Sequence, residues 1–155
     1  MRIVNVKESS ILTLDRLKAY ANIVDGSRDD ELRTILRAAA LRVAQYADVA
    51  LLECTVIDEA TEAAQLWMPP VGEVASVVDA VTGDDVSDRC TRIGNDILVL
   101  PLDTVCTVTY TVVPDEATVQ TFAPLVWEMA VAMWDGNTEE ESKVYRRIPS
   151  GYVVH

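Results

Sequence analysis

A chain of 155 residues is the size of one domain with a buried core, and 50% hydrophobic against 25% charged residues excludes disorder for its bulk. Thirteen basic side chains against 25 acidic ones give a formal net charge of −12, a surface that phosphate backbones repel. The imbalance is local. No Lys or Arg lies between Arg42 and Arg89, yet that stretch holds ten carboxylates: Asp48, Glu53, Asp58, Glu59, Glu62, Glu73, Asp79, Asp84, Asp85 and Asp88. After Glu141 the sign reverses, with Lys143, Arg146 and Arg147 and no acid. One end of the molecule is therefore suited to hold the other end of a copy of itself, or an acidic partner.

Thr13 is placed to cap a first helix over about 14–23, with Leu14, Leu17 and Ala21 on one face and Asp25-Gly26 to end it. Ser27 followed by Asp30 reads as a capping-box start for a second helix. Its apolar positions Leu32, Ile35/Leu36, Ala39, Val43 and Tyr46/Ala47 recur at helical spacing, while Asp29, Arg33 and Arg37 form a solvated ion-pair stripe on the other face. From about residue 53 the period becomes strand-like, over Cys54–Ile57, Leu66–Met68, Val74–Val81, Ile97–Leu100 and Val105–Val113. Pro69-Pro70, Gly83-Asp84-Asp85 and Gly94-Asn95-Asp96 are turn signals between these runs. Thr107, Thr109 and Thr111 alternate with Val108, Tyr110 and Val112, which predicts one buried and one wetter face. The run 74–81 is apolar on both faces, so it is expected at a sheet centre or against a neighbouring subunit.

A third helix is expected from Ala123, with Pro124 at its first position and apolar stripes on two sides: Trp127, Val131 and Trp134, then Val126, Met129, Ala130 and Met133. Thr138 with Glu141 reads as a capping box for a short polar helix over about 139–147. Pro149-Ser150-Gly151 then turns into an extended Tyr152-Val153-Val154. The longest apolar stretch, 124–134, contains Glu128 and is far shorter than the ~20 residues of a membrane span. Three cysteines without C-x-x-C spacing, and an opening M-R-I-V-N-V-K-E that reaches charge early, point to a reducing intracellular setting without a signal peptide.

The residues of common catalytic chemistry are sparse. The single histidine, His155, is the last residue, whereas nucleophilic catalysis needs a histidine held rigidly by its neighbours. Asp25 to Glu31 is acidic, but Arg28 intrudes and the EF-hand spacing is missing. The six glycines form neither G-x-x-x-x-G-K nor G-x-G-x-x-G. Acids such as Asp84-Asp85 and Asp96 sit beside turn residues, where solvated carboxylates belong. No enzyme, metal or cofactor is expected.

The segments L-T-L-D-R-L-K-A-Y (12–20), D-E-L-R-T-I-L-R-A-A-A-L-R-V-A-Q-Y (30–46), P-P-V-G-E-V-A-S-V-V-D-A-V (69–81) and the strand at 105–111 precede the apolar helix 124–134 and a polar E-E-E-S-K stretch. In this order they resemble the head–tail connector (adaptor, or head-completion) family of tailed bacteriophages and prophages. Members of that family usually carry a glycine soon after the second helix; here the place reads Ala47-Asp48.

The expected fold is α+β, mainly α-helical with a small antiparallel β-sheet, an N-terminal helix pair and a C-terminal apolar helix. Residues 1–142 are expected to form one connector-like domain and 143–155 a basic tail ordered on assembly. The resemblance implies a non-enzymatic virion protein assembled in the bacterial host cytoplasm. It would form a homo-oligomeric, twelve-fold ring under the portal protein, extend the DNA channel, and meet a stopper or tail-completion protein. DNA would pass without specific binding, the acidic middle would line the tunnel, and no membrane is involved. Tyr145, Arg146, Arg147, Ile148 and Tyr152 are the expected partner contacts. The alternatives are another small virion component, a stopper or tail-completion protein, and more remotely a small carboxylate-dependent hydrolase.

Overall fold

In the computed structural model, which describes residues 1–68, 71–94 and 96–148, Thr13 caps helix α1 (Leu14–Ala21) by accepting from the Arg16 N–H. Helix α2 (Asp29–Ala47) buries Leu32, Leu36, Ala39, Ala40, Val43, Ala44 and Ala47, the stripe its period predicts. Its start differs from the expected capping box. Arg28 is the N-cap without a side-chain capping bond, its guanidinium donating to Glu31, and Ser27 Oγ donates to Asp25 instead. Asp29, Asp30 and Glu31 in the first turn face the positive end of the helix and compensate electrostatically.

Among the described residues seven strands occur in chain order: β1 (Arg2–Val4), β2 (Cys54–Thr61), β3 (Ala63–Gln65), β4 (Val71–Asp79), β5 (Thr91–Ile93), β6 (Ile97–Val99) and β7 (Val105–Val112). They form two antiparallel sheets, β1-β2-β7-β4 and β3-β6-β5. The alternation in β7 is borne out: Cys106, Val108, Tyr110 and Val112 are buried, and the threonines between them are half-buried. Pairing sets Val56 against Tyr110 and Val77 against Val108, which puts these side chains on the covered face.

The expectation of a mainly helical fold is corrected by this second sheet. Helix accounts for 41% and strand for 26% of the described residues. β1, β3 and β5 are three residues each, too short to leave a period in the sequence, and their cross-strand partners define them. Leu66–Met68, expected as a strand, lies just beyond β3. The expected C-terminal apolar helix is corrected as well. Helix α3 (Glu116–Trp134) starts where Asp115 accepts from the Thr118 N–H, seven residues before Ala123, and Pro124 falls in its third turn. Pro124 and Gln120 both face solvent, so the carbonyl left without a donor can be hydrated and the helix continues. The last described helix is the polar α4 (Thr138–Arg147), capped by Asn137 rather than Thr138.

One apolar core joins the helices to both sheets, with Leu17, Leu32, Val43, Phe122, Val126 and Met129 meeting Val56, Val108, Tyr110, Ala64 and Leu98. Two polar bonds tie the segment after β3 into it. Asp48, 7% exposed, accepts from the Met68 N–H at 2.8 Å, and the Tyr110 hydroxyl accepts from the Trp67 N–H at 2.9 Å. Asp48 also closes α2 in the left-handed region, at φ 54°, which is the conformation a glycine would supply there.

The doubly apolar run 74–81 belongs to β4, an edge strand and not a central one. Its outer rim is covered from within the chain. The Val77 N–H donates to Ser87 Oγ, the Val86 N–H to the Val77 carbonyl, and the Asp79 N–H to the Asp84 carbonyl. Arg92 donates to the Gly72 and Val71 carbonyls. These contacts occupy groups that would otherwise template a foreign strand.

Candidate assembly interface

Helix α4 lies beside α2 and α3. Arg42 pairs with Glu141 at 2.5 Å, and one turn further the rings of Tyr46 and Tyr145 stand 4.8 Å apart and tilted by 42°. Arg147 reaches α3, where Nη1 donates to Glu128 Oε1 at 3.1 Å and Nη2 lies 2.9 Å from Oε2. Val144 and Ile148 are buried. Of the residues expected to contact a partner, Ile148 is thus in the core, Tyr145 and Arg147 hold α4 to its neighbours, and Arg146 stands exposed. Tyr152 lies outside the described residues. A shallow groove of about 260 Å³ runs along this end, lined by Tyr20, Glu128, Val131, Val144 and Arg147 among others. Partial burial, then the nearby Glu128 carboxylate, raises the Tyr20 phenol above its ordinary value.

Arg147→Ala is expected to lower stability by no more than about 1 kcal/mol, because the pair is half-exposed and screened. Arg146→Ala should leave stability unchanged within about 0.5 kcal/mol, both variants being compared with the unmodified protein by urea titration. A larger loss for Arg146→Ala than for Arg147→Ala would contradict the roles assigned to them.

The strand half is strongly acidic. Residues 53–115 contain twelve carboxylates and only Arg89 and Arg92 as bases, so almost all of the net charge resides there. Several acids organise turns. Asp79 accepts from the Val81 and Thr82 N–H groups, and Asp85 from Ser87. These bonds hold both carboxyls below their usual range, so they remain ionised. The same half exposes large aliphatic side chains near one end of the four-stranded sheet, with Val81 at 86% and Leu102 at 78%. The Ala80 N–H to Val105 carbonyl bond draws the turn after β4 against the start of β7.

On the helical flank, a cleft of about 430 Å³ opens between the segment Lys7–Asp15 and α2, with Leu12, Leu14 and Leu36 among its walls and Arg33, Thr34 and Arg37 beside them. Neither this cleft nor the Leu102 tip is visible to periodicity, because each depends on which segments meet in space. Among the described residues no group of three or more His, Cys, Asp or Glu is placed to hold a metal. Among them, too, no helix is long and apolar enough to cross a membrane. The thiols of Cys54 and Cys106 are free and buried.

No protein-family model matches the chain, and no curated protein sequence does. Solved structures do. A chain in the neck of an empty GTA particle computed with C6 symmetry superposes with a TM-score of 0.60 at 16% identity, over 87% of this chain and 84% of that one. A chain in the virion of a native gene transfer agent (GTA) particle gives 0.61 at 17% identity with the same coverage. At such identities the likeness is one of fold. The chain has the fold of components of phage-like particles, one of them standing in a particle neck.

Proposed function

We propose that this chain is a structural, non-enzymatic protein of a virion neck, assembling as a homo-oligomeric ring between head and tail. The observation that carries the reading is the match over 87% of the chain to a chain of a GTA neck. Six-fold averaging of that neck fits six or twelve copies around the axis, and the resemblance to head–tail adaptors favours twelve, seated under the portal protein. The acidic strand half suits a channel wall, since like charge keeps passing DNA from adhering. Exposed Arg146 and the segment after Ile148, including Tyr152, are assigned to the portal contact, and the opposite rim to a stopper or tail-completion protein.

Deleting the gene from a producing host is expected to yield DNA-filled heads and unattached tails, with virion formation restored by the gene in trans. Normal tailed particles from the deletion strain would remove the reading. Cross-linking in wild-type particles then separates an adaptor, which links to the portal, from a stopper, which does not.

A further inference from the structure

We infer that copies of this chain join head to tail, with the Leu102–Asp103 turn of one seated in the cleft between the N-terminal segment and α2 of the next. The inference deepens the ring reading and rests on it. Leu102 is 78% exposed at the connection between β6 and β7. Thr104 Oγ1 donates to its carbonyl at 3.2 Å and Asp103 adopts φ 57°, so the turn is locally fixed and its leucine stays bare. Such a knob gains from being covered. The cleft offers about 430 Å³ with leucine walls, more than a leucine side chain requires.

Charge decides the orientation. Arg33 is held by Asp30 at 3.0 Å, and Lys7 by Glu53 at 3.0 Å, while Arg37 makes no ion pair among the described residues. Asp103, next to the knob, likewise has no basic partner there. Glu8, Asp15 and Asp29 also line the cleft, Asp29 being held by Lys18 at 2.8 Å, so the gain requires Asp103 to meet Arg37, which its place beside Leu102 allows. Pairing two strand halves face to face would instead bring Asp84, Asp85 and Asp103 against their own copies. Unlike patches on opposite flanks give a heterologous contact, which makes a ring where the rotation between copies closes.

The test mixes two differently tagged full-length populations, Val81→Cys, which keeps the Leu102 knob beside it, and Thr34→Cys, at about 1 mM, where weak contacts are populated, under mild oxidation. Both positions are exposed, so folding should be preserved. Mixed-tag dimers are expected about ten-fold above a Glu116→Cys with Thr34→Cys control, an excess corresponding to one decade in local association. Asp103→Arg should reduce trapping to the control level, and adding Arg37→Asp in the other population should restore it. Trapping at the control level, or charge reversal without rescue, overturns the contact. So does a peptide of residues 149–155 displacing the turn from the cleft, since the occupant would then be the chain's own end. Native mass measurement on the same samples separates the two claims: rings without trapping refute this contact alone, and neither rings nor trapping refutes both.

Discussion

Asp48→Ala should lower the stability of the fold by about 3 kcal/mol, the sum of a lost buried bond to a charged acceptor and the strain of alanine in the left-handed region. Asp48 does two jobs at once. Its backbone ends α2 at φ 54°, and its carboxylate accepts from Met68 across the core. Asn should retain most of the stability, because it tolerates the same conformation and its amide oxygen can accept the same bond. Gly should fall between them, keeping the backbone and losing the acceptor. Urea titrations of the three variants at pH 7 decide the matter. Equal stability for Ala and Asn would show that the tie to Met68 carries no weight.

Alkaline destabilisation is the second large effect. Burial, with a smaller push from Glu53, raises the Cys54 thiol to about 11, and burial raises the Tyr110 hydroxyl to about 12. The unfolded chain releases these protons near the ordinary values of 9.0 and 10.0, while the native state keeps them. The unfolded state therefore binds fewer protons, and stability must fall as pH rises. Their contribution is whole below pH 9 and disappears through 11 for the thiol and 12 for the phenol, at about 2–3 kcal/mol each. Cys54→Ala should flatten the lower part of this decline. Tyr110→Phe should flatten the upper part while costing about 1–2 kcal/mol at neutral pH, where the Trp67 N–H loses its acceptor. Denaturant midpoints from pH 7 to 12 measure both. Parallel curves for wild type and the double variant would contradict burial as the cause.

What was legible in the sequence is what local physics decides. Thr13 caps α1, the leucine and alanine stripe of α2 is buried, and β7 alternates as its threonines predict. The losses have separate physical origins. Pro124 suggested a helix start, but a proline on a solvent-facing turn can be carried inside a helix, and the true start lies at the Asp115 cap. The apolar faces of 74–81 suggest a central strand or one against a neighbouring subunit; β4 is an edge strand, and the chain covers that edge itself through Ser87 and Arg92. The three-residue strands have no period of their own, so the second sheet leaves no mark in the sequence and its pattern points to a mainly helical fold. The proposed assembly surface is legible as a charge pattern and not as residues. The acid-rich middle became one acidic half, whereas Ile148 turned inward and the exposed knob at Leu102 carried no motif.

A cryo-electron reconstruction of the neck of particles purified from a host that carries this gene would locate the chain directly. The expected result is a ring of six or twelve copies with this fold between head and tail, the strand half of each facing the channel. A neck without such a ring, or this chain found in the head shell or absent from purified particles, would contradict it.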